Sequence, residues 1–288
     1  MSLKLDLFYL RKAFFEYSKG WRYLHNRYWL ARKICRVQKP FVAKGKYFPD
    51  LSIHILTCHR DNLIALWSLC SFFANSDFFG DLYIHDDGTL RGWEKRLYKE
   101  FFPEAKIINS DMFLAEYGTK FQNNMVLKNF RAKYHHYFSF KKLIDPIFVS
   151  GKPLRLILDS DILWFRNPAE IEEQIAAGGK ISLMQHNPIE IEGVSYNAGI
   201  IFYSIQNFDL KKLVGFLEKI DVSRKQSLHF ADQTGYAHAL RNLEALPADR
   251  YRIKGAVSTN TVARHYTSPK RPLFFIEGLE ILNERILK

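Results

Sequence analysis

The sequence predicts an α/β protein: one Rossmann-like domain over residues 50–288, with a mixed, mainly parallel sheet flanked by helices, preceded by a basic helical segment over residues 1–49. Short apolar runs typical of buried strands alternate with longer amphipathic stretches typical of helices. Several of these runs end in polar residues, which is where open α/β sheets bind ligands. With 288 residues, 47% of them hydrophobic, the chain can form one large core.

The first 49 residues carry most of the excess positive charge. The chain has a formal net charge of +12, and twelve Lys and Arg residues against Asp6 and Glu16 place 12 − 2 = 10 of those charges here, interleaved with Phe, Tyr and Trp. Such a segment suits the headgroup layer of an anionic membrane. A helical appendage that packs its aromatic residues on the main domain is the other interpretation. No recognition motif accompanies the charge, so nucleic acid is not an expected partner.

From Leu51 onward the strands and helices follow in turn. Asp61 is expected to cap the first helix of the domain, and residues 112–125 are expected to form a mobile loop. Strands are predicted at 51–57, 81–85, 105–109, 154–159, 181–186 and 198–203, and helices at 61–75, 93–102, 126–144, 168–178, 210–220 and 230–240.

The strand that begins at Leu154 leads into Asp159-Ser160-Asp161. Two carboxylates one residue apart at the end of a buried strand can turn toward one divalent cation, and Mg²⁺ and Mn²⁺ prefer such oxygen ligands. The cation could then hold a diphosphate. Taken alone, an Asp-x-Asp after a strand more often caps a loop or lies in a solvated turn.

Other polar residues are candidates for the same edge of the sheet. Asp86 and Asp87 follow the second strand and could accept hydrogen bonds from a nucleoside, although a capped turn explains them equally well. Arg131 and Lys133 could reach a phosphate, but a solvated helix face is the commoner explanation.

The second half of the chain adds three candidates. Asn197 precedes a small residue and a glycine at a strand edge, where a sugar could approach closely. Asp232 and Gln233 lie near a helix start, where an acid also simply suits the helix dipole. His265 precedes Lys270 and Arg271; an imidazole is a good third ligand for Mn²⁺, and the basic pair could neutralise a leaving diphosphate.

In order along residues 51–272, these motifs resemble the GT-A class of metal-dependent glycosyltransferases, and most closely the glycogenin and bacterial galactosyl- and glucosyltransferase-like group. The resemblance implies Mn²⁺ or Mg²⁺ on Asp159, Asp161 and His265, with the donor diphosphate on Arg271 and on Lys270 as a substitute. It implies that Asn197, Asp232 and Gln233 hold the donor sugar or the acceptor. Thr57, Asp86 and Asp87 would face the nucleoside, with Ser160 beside the donor. The family usually has Lys at position 271 and Gly at position 268.

The implied reaction transfers a sugar from a nucleotide diphosphate sugar, by default a uridine diphosphate sugar, to an acceptor hydroxyl, as in cell-surface glycan assembly. The resembling group retains anomeric configuration; an inverting enzyme would need a base, for which Asp232 is the candidate. One alternative is a phosphatase that uses Asp-x-Asp, although Leu163 stands where that scheme needs Thr or Val. Another is a non-catalytic protein that binds sugar nucleotides or associates with membranes.

The composition also suggests a cellular setting. Cys35, Cys58 and Cys70 are odd in number and lack metal-type spacing, which favours a reducing environment. No signal peptide is evident. The sequence therefore predicts a cytoplasmic enzyme that is peripheral on the inner face of the membrane if the first 49 residues bind lipid.

Overall fold

The computed structural model describes residues 3–121 and 124–287 of the chain. Within these ranges, ten strands form two sheets. In chain order they are β1 Lys46–Thr57, β2 Phe78–Asp86, β3 Lys106–Asn109, β4 Leu154–Asp159, β5 Ile162–Trp164, β6 Ser182–Ile191, β7 Val194–Ser204, β8 Leu243–Leu246, β9 Tyr251–Arg252 and β10 Ala263–His265. The central sheet has the order β3-β2-β1-β4-β7-β6-β8, and a small sheet has the order β5-β10-β9.

The helices surround the central sheet. They are α1 Leu3–Arg11, α2 Gly20–His25, α3 Asn62–Asn75, α4 Gly92–Phe101, α5 Phe113–Tyr117, α6 Met125–Lys133, α7 Phe138–Val149, α8 Ala169–Ala176, α9 Leu210–Lys219, α10 Lys225–His229, α11 Ala231–Ala239 and α12 Leu279–Ile286. Wider π-type turns occupy Lys12–Glu16, Asn26–Leu30 and Phe274–Gly278, and 3-10 turns occupy Ala31–Arg36, His59–Asp61, Gly118–Phe121 and Ile205–Asn207. No helix within these described ranges is long and apolar enough to cross a membrane.

The central sheet is mixed and mainly parallel, which confirms the predicted fold class. Strands β3, β2, β1 and β4 run parallel, whereas β7 is antiparallel to both β4 and β6. The register pairs Thr57 with Asp86 and Leu56 with Asp159. The carboxyl ends of β1, β2 and β4 therefore meet at one edge of the sheet, where ligands of such folds bind.

Each face of the sheet is covered by its own hydrophobic core. One core contains α3 and the residues around Trp67 and Trp164, together with α12 and the N-terminal segment. The other contains α7, α9 and α11 around Phe140, Tyr203 and Tyr236. Strand β4 contributes Leu156 and Leu158 to one core and Ile157 to the other, which explains why most of its side chains are apolar on both faces.

The N-terminal segment is helical, as predicted, and one side of it belongs to the core. Tyr9, Ala13, Tyr23 and Ile34 are almost fully buried, and the Trp67 indole donates to the carbonyl of Ala31 at 2.9 Å. Strand β1 starts at Lys46, inside the predicted segment. The division of the chain at residue 49 stays a prediction.

Two predicted elements are wrong. The single helix predicted over 126–144 is two helices, α6 and α7, because Tyr137 adopts an extended backbone with φ −91° and ψ 120°. The break lets Tyr134 stack on Phe140 at 5.3 Å between ring centroids. The loop predicted over 112–125 contains α5 and a 3-10 turn in its described part; Gln122 and Asn123 lie outside the described residues.

Candidate active site

Asp159, Asp161 and His265 come together at the carboxyl edge of the sheet. Each offers one ligand atom, and the three atoms lie within 4.8 Å of one another. His265 Nε2 is 3.1 Å from an Asp161 oxygen and 3.4 Å from an Asp159 oxygen. Two carboxylates and an imidazole are a donor set that Mn²⁺ or Mg²⁺ accepts, so the residues fit the predicted cation.

The pairing of two short strands places His265 in this group. Strand β10 runs antiparallel to β5, and His265 pairs with Ile162, the residue after Asp161. The backbone N–H of Tyr266 donates to the Asp161 carbonyl at 2.9 Å. Two residues 104 positions apart in the chain are thus fixed side by side through backbone hydrogen bonds.

The other nitrogen of His265 is held by Gln185. His265 Nδ1 lies 3.1 Å from the Gln185 amide oxygen, which can only accept, so Nδ1 donates to it and Nε2 is the nitrogen that faces the two carboxylates. Gly199 makes room for this ring: a Cβ at that position would lie 2.4 Å from Nδ1 and 2.6 Å from the Gln185 oxygen. A glycine is therefore required beside the imidazole.

Arg271 bridges two acids at the mouth of this group. Its Nη2 donates to Asp161 at 2.7 Å, and its Nη1 donates to Asp61 at 2.9 Å. Burial opposes ionisation of Asp161, but Arg271 and His265 hold the pKa of that carboxyl well below its usual range. The sequence predicted that the side chain of Asp61 caps α3, and this prediction is wrong. The Asp61 carboxylate makes no hydrogen bond to the helix N-terminus and pairs with Arg271 instead.

A buried lysine, Lys142 on α7, links the metal-type acids to α11. Its ammonium donates to Asp159 and to the Ala198 carbonyl, and it lies 3.5 Å from Asp232. Burial disfavours the charged ammonium, but Asp159 and Asp232 more than offset this and raise the pKa of Lys142. Lys142 therefore remains a cation between two carboxylates.

Asp232, Gln233 and Asn197 lie around Lys142. Burial raises the pKa of Asp232 above its ordinary value, although the Lys142 ammonium opposes the shift. Gln233 is buried, and its Nε2 has no hydrogen-bond partner among the described residues. The Asn197 oxygen accepts from the backbone N–H of Gly199 at 2.8 Å, which leaves its amide nitrogen as the group for a ligand.

These residues surround one cavity of about 600 Å³. Nine of the predicted site residues line it: Thr57, Ser160, Asp159, Asp161, Asn197, Asp232, Gln233, His265 and Arg271. Leu5 and Tyr9 of α1 also line it, so the N-terminal segment contributes to the site. The cavity volume is within the range typical of small-molecule sites.

Two predicted nucleoside ligands, Asp86 and Asp87, are absent from the lining of this cavity. Asp86 accepts from the backbone N–H groups of Gly88 and Leu90 and pairs with Lys95 at 2.6 Å. Asp87 accepts from the backbone and hydroxyl of Thr89. Both carboxylates thus shape the turn after β2, which is the alternative that the sequence left open.

Three predicted phosphate ligands also lie away from this cavity. Arg131 is buried in an ion pair with Asp145 at 2.6 Å, with a further hydrogen bond to Ser110. Lys133 is exposed and lies over the Tyr134 ring, and Lys270 donates to the carbonyl of Ile253 at 3.4 Å. Of the four basic residues predicted to bind phosphate, Arg271 is the one that lines this cavity and contacts Asp161.

Sequence reasoning missed Lys142, Gln185 and the partnership of Asp61 with Arg271. A signal for Lys142 was weak, since it stands beside apolar residues such as Leu143 and Ile144, but Lys141 and Asp145 are charged residues of the same helix. Gln185 carried no such signal, because a polar residue in a strand reads as solvent-facing until its neighbours are known.

The fold is that of GT-A glycosyltransferases. No protein-family model matches the chain, and no curated protein matches it in sequence. Among solved structures, mouse xyloside xylosyltransferase 1 in its apo form is similar, with a TM-score of 0.52 and 11% identity over 78% of this chain and 99% of that one. The bifunctional glycosyltransferase WbbM is similar with a TM-score of 0.51 and 10% identity, over 87% of this chain and 51% of that one. At these identities the likeness establishes the fold alone.

Proposed function

We propose that this chain is a metal-dependent glycosyltransferase that moves a sugar from a nucleotide diphosphate sugar to an acceptor hydroxyl. The observation that carries the proposal is the group of Asp159, Asp161 and His265 beside Arg271, at the ligand-binding edge of a GT-A fold. A Mn²⁺ or Mg²⁺ ion held by the three residues would neutralise negative charge on the departing nucleoside diphosphate.

The chain's own residues would divide the remaining work. Arg271 would bind the diphosphate through its planar guanidinium, exchanging its Asp161 contact for phosphate oxygens. Gln185 would keep His265 in the tautomer that leaves Nε2 unprotonated. Lys142 would fix the Asp159 and Asp232 carboxylates in place.

The sugar would lie against Asn197 and Gln233, which present amide donors to its hydroxyls. In an inverting reaction, Asp232 would accept the proton of the acceptor hydroxyl, and its raised pKa suits that task. A retaining reaction, which the resemblance implies, needs no dedicated base. The main contribution of the site in either case is to orient the acceptor oxygen toward the anomeric carbon.

A panel of nucleotide sugars, beginning with uridine diphosphate sugars, tests the proposal. One donor is expected to release its nucleoside diphosphate when Mn²⁺ is present and to stay intact with chelator. Release of phosphate from an aryl phosphate, without turnover of any nucleotide sugar, would favour a phosphatase instead.

We also propose that the outer side of the N-terminal segment docks on an anionic membrane. Phe15, Trp21 and Trp29 are 82%, 78% and 62% exposed, while Tyr9 and Tyr23 of the same segment are buried. Exposed aromatic rings among Lys and Arg suit the headgroup layer, where the rings insert and the cations attract anionic lipids. A cell-surface glycan carried on lipid would then be a suitable acceptor.

Changing Phe15, Trp21 and Trp29 together to Ser is expected to lower partitioning onto phosphatidylserine-containing vesicles roughly tenfold or more. Co-sedimentation measures this effect. Substitution is preferable to deletion of the segment, because Tyr9, Ala13 and Tyr23 belong to the core. The matched control changes Trp93, Met125 and Ile189, which are also exposed but lie elsewhere. Equal sedimentation of the two triple variants would contradict the proposal.

A further inference from the structure

A second cavity of about 580 Å³ lies beside the first, between the N-terminal segment and the residues that follow β1 and β2. Tyr9, Arg60, Asp61 and Arg271 line both cavities, so the two are neighbours across these residues. The sequence motifs that define the metal group do not involve this second space.

The lining of the second cavity is strongly basic. It includes five arginines, namely Arg27, Arg32, Arg60, Arg91 and Arg271. The carboxylates in the lining are those of Asp6 and Asp61, so with His59 neutral the formal charge is 5 − 2 = +3. A cavity with this charge favours an anionic ligand.

The arginines of this cavity differ in whether a carboxylate neutralises them. Arg27 pairs with Asp6, and Arg271 is shared by Asp61 and Asp161. Arg32 and Arg91, by contrast, form no ion pair with any residue in the described ranges. Guanidinium groups without an internal partner can bind phosphate oxygens through two parallel hydrogen bonds.

The N-terminus of α3 points to the same class of ligand. Asn62, Leu63 and Ile64, the first three residues of this 14-residue helix, line the cavity. The N-terminal end of a helix carries partial positive charge and favours phosphate. The helix N-terminus and the arginines of the lining thus both favour an anionic ligand.

Flat aromatic and apolar surfaces complete the cavity. Tyr9, Tyr23, Tyr28 and Phe275 line it, and Tyr28 is 43% exposed. A few charged groups among aromatic side chains are typical of sites that bind an organic molecule rather than a bare ion.

We propose that this cavity binds a phosphate or diphosphate group on the acceptor. The inference rests on the proposed function, because it gives the donor diphosphate to the metal group and Arg271, which leaves the remaining arginines for a second anion. The two cavities adjoin, so an acceptor anchored here lies next to the donor. The phosphate belongs either to a lipid carrier or to a soluble phosphorylated glycan.

The test uses the full chain with Arg32 and Arg91 both changed to Gln. Both side chains are exposed, so the variant is expected to fold. Pyrophosphate binding, measured by calorimetry in chelator, is expected to weaken roughly tenfold or more, because hydrogen bonds to charged groups are lost. The matched control changes Lys33 and Arg36, which are exposed on the same segment outside the cavity.

Donor hydrolysis in the absence of acceptor is measured on the same variants. Weaker pyrophosphate binding with unchanged donor hydrolysis supports the proposal. Unchanged pyrophosphate binding overturns it. An equal loss of donor affinity also overturns it, because the cavity would then hold part of the donor.

Two further measurements are made. One distinguishes a lipid carrier from a soluble phosphorylated acceptor, and the other distinguishes failure of this proposal from failure of the proposed function. Tighter binding of farnesyl diphosphate than of pyrophosphate supports a lipid carrier, and equal binding supports a soluble phosphorylated acceptor. If no nucleotide sugar is turned over, yet pyrophosphate binding still depends on Arg32 and Arg91, the proposed function fails while the anion site stands.

Discussion

Changing Asp161 to Asn is expected to lower metal-dependent donor turnover roughly 1000-fold, because an amide cannot replace the anionic ligand of the cation. The substitution keeps the shape of the side chain, and Arg271 keeps its pairing with Asp61, so the fold should be preserved. Turnover at saturating Mn²⁺ and calorimetric Mn²⁺ titration measure the effect.

The matched control for this variant is Asp249→Asn. Asp249 is an exposed carboxylate in the loop between β8 and β9, outside the lining of the first cavity. It should bind Mn²⁺ and turn over donor as the parent does. An Asp161→Asn protein that kept normal Mn²⁺ affinity and more than a small part of the parent turnover would show that Asp161 is not a ligand.

Changing Lys142 to Met is expected to lower both stability and turnover. The substitution leaves the partly buried carboxylates of Asp159 and Asp232 without their shared cation, which should cost about 3 kcal/mol in free energy of unfolding. Turnover should fall roughly 100-fold, since the acids lose their fixed positions. Urea denaturation and donor turnover measure the two effects.

Lys211→Met is the control, because Lys211 is an exposed lysine on α9. Lys142→Arg helps to separate the roles: a cation that is too large for the site should restore part of the stability but little of the turnover. Unchanged turnover in Lys142→Met would show that the lysine has only a structural role.

The sequence was sufficient for the fold class and for the residues at the strand end. Asp159 and Asp161 could be predicted because a mostly apolar run identifies β4, and the residues that end and follow it lie at the ligand-binding edge. His265 was a candidate from the chemistry of its imidazole, and the resemblance assigned it to the same cation as the two aspartates. Its position beside Asp161 depends on the pairing of β5 with β10, two strands of three residues that carry little periodic signal.

Other features depend on contacts between distant residues. The break between α6 and α7 has neither Gly nor Pro to mark it, and it accompanies the packing of Tyr134 against Phe140. In the N-terminal segment, Tyr23 is buried and Trp21 is exposed, but the sequence pattern does not distinguish these two aromatic residues. The sequence therefore left membrane binding and core packing as alternatives. The structure shows core packing for one side and an exposed aromatic surface on the other.

The most direct test of the central claim is turnover of the nucleotide-sugar panel by the intact chain, with Mn²⁺ and with chelator. The proposed function predicts that one donor releases its nucleoside diphosphate with Mn²⁺ and that chelator abolishes the release. Equal turnover with chelator, or no turnover of any donor with metal, would contradict a metal-dependent glycosyltransferase.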